Sequence, residues 1–232
     1  MPHAILLQFN PRYYTTAMTS SFENHSNNIL YHEIAQIFNE CQLTATNHRR
    51  NCIALKKLQT RPYNETPANS NRPKRSSKLS NVSYNEDDED RNTKNRHWES
   101  AFFVEFFQIV AKVLDIRKND EVALRLVKFI NAFCAFSNSA EMSCTNAEEK
   151  GIHSRFMDNF IQCMLKGVEA KDKNVRYRIC LLLAGCINAV DEMRSDLLDY
   201  FVQKLSERLF DKEAVVRIAA VQALSRLQVC LL

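Results

Sequence analysis

Glycine is almost missing from this chain, with three residues in 232, and prolines number five. Strand-rich and α/β folds need many tight turns, and glycine is the usual residue where φ must be positive. Its scarcity points to helices joined by polar loops. It also leaves little from which to build a phosphate cradle, and neither GxxxxGK[ST] nor GxGxxG occurs. Eight cysteines are present, but no CxxC pair. Cys52, Cys134, Cys163, Cys180 and Cys186 lie inside apolar helical patterns, which reads as buried thiols of a reducing intracellular compartment and not as a disulfide framework or zinc site. The six histidines are scattered, and His32-Glu33 has no second histidine at metal-binding spacing. No apolar run approaches the ~20 residues of a membrane span, and Ala4-Ile5-Leu6-Leu7 is too short for a secretory core. The expectation is a chain that is not an enzyme and has no cofactor, metal, membrane or small-molecule substrate.

What is present is a helical core. The chain is 45% hydrophobic, with a net charge of +4 and a pI near 8.6. Residues 1–27 are polar and aperiodic and read as a disordered tail. Residues 28–59 carry the first helices, with Ile29, Leu30, Ile34, Ile37, Phe38 and Cys41 apolar, followed by Cys52, Ile53, Leu55 and Leu58. Residues 60–96 collect three prolines, many serines and asparagines, and the acidic run Glu86–Asp90, which predicts a disordered insert interrupting the first helical pair. Within it, Arg72–Lys78 has the composition of a nuclear-import run, and Ser83 precedes the acids. Helical spacing resumes at Trp98 with Phe102, Phe103, Phe106, Val110 and Leu114, and Asn119 or Asp120 is placed to cap the next helix. After a polar loop near 137–152, four helices are predicted near 153–168, 174–190, 194–210 and 213–229.

Those last helices repeat with a period of 41. Asp158, Phe160, Gln162, Val175 and Arg176 recur as Asp199, Phe201, Gln203, Val216 and Arg217. Two helices per ~40–47 residues is the HEAT/armadillo period, and one such pair buries its apolar face only by stacking on the next. The predicted fold is all-α: a HEAT-repeat α-solenoid, a right-handed superhelix of antiparallel helical pairs, over residues 97–232 with residues 28–59 as its opening pair. Asp172 and Asp211 are placed to cap the second helix of each repeat, and Arg176 and Arg217 hold the structural Val-Arg position.

Cations cluster at the turns. Arg49, Arg50, Lys56, Lys57 and Arg61 follow one another with no intervening acid; Arg117-Lys118 falls between two helices; Lys171, Lys173, Arg176 and Arg178 flank another turn. Taken singly, each cluster has the pattern of a solvated helix face. Stacked, successive turns align along one edge and make a stripe suited to phosphates.

The phrases Asp172-Lys173-Asn174-Val175-Arg176-Tyr177-Arg178-Ile179-Cys180 and Val216–Gln228 resemble the opening repeats of the condensin subunit 3 (Cap-G type) family. So do Tyr31-His32-Glu33-Ile34-Ala35, Asn47-His48-Arg49-Arg50, Leu55–Gln59 and Lys166-Gly167-Val168-Glu169, and the resemblance covers about residues 29–59 and 97–228. It implies a non-catalytic condensin subunit of mitotic chromosome condensation, nuclear and chromosomal. The implied partners are double-stranded DNA, the Cap-H type kleisin and, through it, the SMC ATPase subunits. It further implies DNA contact at Arg117 and Lys118 first, then Arg49, Arg50, Lys56 and Lys57, with Lys171 and Lys173 beside them. The insert is longer than the family leads one to expect, and the chain stops where the family continues, which predicts a C-terminally truncated form. The rival reading is a HEAT adaptor of transport or phosphatase type, which binds peptide and not DNA.

Overall fold

A computed structural model describes residues 29–61, 86–138, 147–190 and 193–227, with side chains from residues 98 and 155 onward in the second and third stretches. Eight helices and no strand occur among the described residues: α1 (Ile29–Leu43), α2 (His48–Gln59), α3 (Glu86–Leu114), α4 (Asp120–Asn138), α5 (Ala147–Gly167), α6 (Lys173–Ile187), α7 (Ser195–Arg208) and α8 (Ala214–Ser225). They pair as α1–α2, α3–α4, α5–α6 and α7–α8, and neighbouring pairs stack like on like. The even helices follow one another as α2, α4, α6, α8, and the odd ones as α1, α3, α5, α7. This is the two-layer arrangement of a HEAT solenoid.

Three boundaries differ from the sequence reading. Residues 86–96, assigned to a disordered insert, are the start of α3. Their acidic run offers no apolar periodicity to read, yet negative charge is favoured in a helix's first turns by the aligned peptide dipoles. Residues 62–85 connect the first pair to the second and do not interrupt the first pair. The polar loop near 137–152 shrinks, because α4 runs to Asn138 and α5 begins at Ala147. The expected tail at 1–27, the import run, Ser83 and the closing residues Val229–Leu232 lie outside the described residues.

The core is continuous between the layers, and its centre is aromatic. Phe38, Phe102, Phe106, Phe129, Phe133, Phe156 and Phe160 are all buried. Phe106 touches Phe38, Phe102, Phe133, Phe156 and Phe160 at centroid distances of 5.5–6.0 Å, joining three helical pairs. Gly185 lets α6 close onto α4, since a Cβ there would meet the Asn131 side chain at 2.2 Å. Asn131 Nδ2 in turn donates to the Leu181 carbonyl at 3.1 Å.

Arginines tie the turns together. Arg178, buried on α6, reaches back to the α3–α4 turn and donates to the carbonyls of Leu114 and Ile116, both at 2.7 Å, and to Asp120 Oδ1 at 2.6 Å. Arg176, also buried on α6, reaches forward and grips Asp211 with both arms of its fork, at 2.7 and 3.0 Å. Its third donor, Nη1, holds the carbonyls of Ala170 and Lys171 in its own turn, at 2.8 and 2.9 Å. Arg217 repeats that local grip on the carbonyls of Asp211 and Lys212, and Arg125 on α4 donates to the Gln42 carbonyl at the end of α1. The expected caps appear as Asn119 Oδ1 accepting from Val122 N at 3.2 Å and Asp172 Oδ1 accepting from Asn174 N at 2.7 Å. Asp211 accepts from Glu213 N at 3.0 Å, one residue ahead of the helix it was expected to cap.

Arg178→Met is therefore expected to lower stability by about 3 kcal/mol, because it strands buried carbonyls without a donor. Arg178→Lys should recover little, since an ammonium cannot span three acceptors with fork geometry. Thermal melts followed by circular dichroism test both, and a wild-type midpoint in Arg178→Met would refute the clamp. A second expectation comes from α8, which leaves Val215, Ile218 and Val221 exposed at 49%, 58% and 53%. A contiguous apolar face of this kind marks an association surface. The chain should self-associate at tens of micromolar, and Ile218→Ser with Val221→Ser should return it to monomer in sedimentation.

Candidate nucleic-acid interface

The clamps place four inter-helix turns on one edge. Arg125 joins the α1–α2 turn to α4, Arg178 joins the α3–α4 turn to α6, and Arg176 joins the α5–α6 turn to the α7–α8 turn. Arg117 and Lys118 stand on the α3–α4 turn; Arg117 is 74% exposed, with Asp115 Oδ1 at 3.5 Å. Lys171 and Lys173 are exposed on the next turn, and Lys173 has Glu213 at 3.9 Å. Arg49 and Arg50 open α2 beyond the first turn and are exposed. Lys57 lies seven residues after Arg50, so the two share a face along α2.

Lys56 does not belong to this surface. It is 3% exposed, with its ammonium turned inward toward the Ser137 carbonyl at 3.4 Å. Consecutive residues on a helix point about 100° apart, and on α2 the apolar residues Cys52, Leu55 and Leu58 draw the face carrying Lys56 into the core while Lys57 stays exposed. Arg176 and Arg178 are likewise removed from the solvated stripe: Arg176 keeps the structural role expected of it, and Arg178 joins it. Lys212, exposed on the α7–α8 turn, extends the stripe and was not among the residues singled out. The signal for it was the repeated Asp-Lys phrase, in which Lys212 follows Asp211 as Lys173 follows Asp172.

The electrostatics of the edge depend on which acids remain free. Asp211 is buried against Arg176, and that guanidinium holds its carboxyl below the usual carboxylate range. Asp120 is partnered by Arg178, whose own charge is buried. Asp115 and Glu213 remain beside Arg117 and Lys173. Exposed cations of this kind suit phosphate oxygens, and contacts to phosphate position a polyanion without reading bases.

No group of three or more metal-ligating side chains is present among the described residues, and no helix there is long and apolar enough to cross a membrane. The described cysteines are all free, five buried and Cys163 half-buried. Burial pushes the Cys41 thiol to about 11, and those of Cys52 and Cys180 to about 12, which leaves them unreactive as nucleophiles. The two lysines of α2 give a sharp test. Lys57→Glu should leave stability within about 0.5 kcal/mol of wild type, whereas Lys56→Glu buries an unpaired carboxylate and should cost several kcal/mol. Equal melts for the two variants would refute the assignment of Lys56 to the interior.

No protein-family model matches the chain. Among curated proteins it is similar to condensin complex subunit 3 of Saccharomyces cerevisiae, 30% identical over 209 residues, covering 87% of this chain and 17% of the relative. The human protein of the same name is 31% identical over 132 residues, 56% of this chain and 13% of that one. The chain thus spans between 13% and 17% of the length of the curated relatives it matches. Among solved structures it is similar to a chain of the S. pombe condensin Cnd3–Cnd2 subcomplex, with a TM-score of 0.56 and 25% identity over 84% of this chain and 19% of that one.

Proposed function

We propose that this chain, a relative of condensin complex subunit 3, serves as a non-catalytic, DNA-holding segment of a condensin-type complex. The observation that carries the reading is the row of exposed cations on successive turns: Arg49 and Arg50, Arg117 and Lys118, Lys171 and Lys173, then Lys212. Its backbone spacing is fixed by buried arginine clamps. A rigid row of point charges suits a polyanion of regular repeat, and because the contacts are to phosphate, binding is independent of base sequence. The kleisin subunit is the second partner in this reading, supported by the relative solved as a Cnd3–Cnd2 subcomplex. Through the kleisin the segment reaches the SMC subunits, which hydrolyse ATP, and its place is the mitotic chromosome in the nucleus.

Arg117→Glu with Lys118→Glu tests the DNA interface. Both side chains are exposed and neither clamps anything, so helicity and melting temperature should not change. Affinity for unrelated duplexes should fall together, and the slope of log K against log salt should flatten by about 0.9 for each phosphate no longer neutralised. An unaltered slope would remove the α3–α4 turn from the interface. A wild-type chain with no salt-dependent duplex binding would favour the peptide-binding adaptor.

A further inference from the structure

One aromatic side chain stands among the cations. Phe210, on the α7–α8 turn, is 89% exposed, the most exposed large apolar residue among the described residues. The repeat does not call for an aromatic there. At the period of 41 its counterpart is Glu169, an acid paired with Lys204 on the next odd helix. Nor is the ring loosely carried. The turn beneath it is held by Arg176 on the Asp211 carboxylate and by Arg217 on the carbonyls of Asp211 and Lys212. The Phe210 amide donates to the Glu207 carbonyl at 3.4 Å, and the Asp211 amide to that of Arg208 at 3.1 Å. A clamped turn thus presents an unburied ring beside Lys212, and across the Arg176 clamp from Lys171 and Lys173.

We propose that Phe210 is a base-stacking residue, which gives the cationic edge a preference for DNA carrying unpaired bases. This rests on the DNA-holding reading above and adds a contact of a second kind. Cations meet phosphates and leave the bases untouched. An exposed ring beside them offers a flat face to a base, and positive charge with an aromatic platform is the combination that holds single strands. Stacking tolerates any sequence, because every base has such a face, so it fits an edge that reads none. A base in an intact duplex is already stacked on its neighbours, and the ring therefore selects an unpaired one. The charges around Phe210 let a nucleotide approach. Asp211 is buried against Arg176, and Glu207 has Lys204 at 3.6 Å and Arg208 at 3.8 Å. Glu213 has Lys173 at 3.9 Å, and Lys212 stands exposed to hold the phosphate of the stacked nucleotide.

Anisotropy titrations of the whole chain provide the test, run well below the concentration of self-association. They compare a fully paired duplex with one of equal length carrying a central unpaired bubble. Wild type should bind the bubble about tenfold tighter. Phe210→Ala should remove that preference and keep the wild-type melting midpoint, duplex affinity and salt slope, since neither a charge nor a buried contact is lost. Phe210→Trp should retain the preference. Phe210→Leu should not, because leucine is apolar but has no stacking face. Arg117→Glu with Lys118→Glu should weaken both DNAs and keep the preference. Equal affinity of wild type for the two DNAs, or a preference that survives Phe210→Ala, overturns the stacking role and leaves the phosphate reading standing. Absence of salt-dependent binding to either DNA overturns both. Self-association lost in Phe210→Ala with the bubble preference intact would assign the ring to contact between copies, and overturn the proposal.

Discussion

Two arginines on one helix hold three helical pairs in register. Arg176 and Arg178 are two positions apart, so their side chains leave α6 about 200° apart around its axis. One is thereby aimed at the turn that follows and the other at the turn that precedes. Arg176 takes Asp211 with a bidentate fork and Arg178 takes the last carbonyls of α3 together with Asp120. A helix leaves its final carbonyls without intrahelical donors, and a stacked solenoid buries them. The guanidinium is the side chain best suited to the task, because its five donors lie in a fixed plane and its weak hydration lowers the cost of burial. Aromatic packing around Phe106 supplies the apolar cohesion between pairs, but dispersion has no direction. The arginine clamps are what fix how far each pair may slide against the next.

That division of labour sorts the cations. A positive residue at the turn edge either finds backbone carbonyls and disappears, as Arg125, Arg176 and Arg178 do, or stands in solvent, as Arg117, Lys118, Lys171 and Lys212 do. The carbonyl-bound set is all arginine and the solvated set is mostly lysine. An ammonium is more strongly hydrated and loses more on burial, and where only a mobile point charge is required, lysine suffices. Lys56 is the exception, a buried lysine whose long methylene stem packs in the core while its ammonium reaches a carbonyl.

Much of this was legible in the sequence. The period of 41 announced the solenoid, and the capping roles of Asn119 and Asp172 followed from their positions ahead of apolar ladders. The Val-Arg position was readable as structural because it recurs, and a residue that recurs in every repeat serves the repeat. Arg178 was not readable in that way. Its counterpart at period 41 is Ala219, so nothing in the repeat marks it, and only its three-dimensional reach to the α3–α4 turn reveals it. Lys56 and Lys57 could not be told apart without knowing the rotation of α2 against α4, and the helical start at Glu86 was hidden because charged residues carry no apolar period. The burial of Gln59 was invisible for a related reason: a glutamine at a helix end looks solvated until the neighbouring pair closes over it.

The clamps also shape the charge of the edge they hold. Asp120 and Asp211 place negative charge on the same row of turns as the cations, opposing a polyanion. Asp211 is buried together with its guanidinium, so both signs leave the surface at once. Asp120 keeps much of its side chain in solvent, but the buried Arg178 at 2.6 Å offsets its charge. The acids left beside the solvated cations are Asp115, Glu121, Asp172 and Glu213. This arrangement has a defined pH range. Asp211 has its folded-state pKa lowered, chiefly by the hydrogen bond from Arg176, so its contribution to stability is fully present above the ordinary value of 3.8 and fades only as pH falls through the lowered one. Near neutral pH the clamp between the last two turns therefore stays closed and the spacing of the cationic row stays constant. Repeat geometry and surface potential are set by the same few buried hydrogen bonds, which is why a residue that never touches a ligand, such as Arg178, matters as much to the edge as the lysines that stand on it.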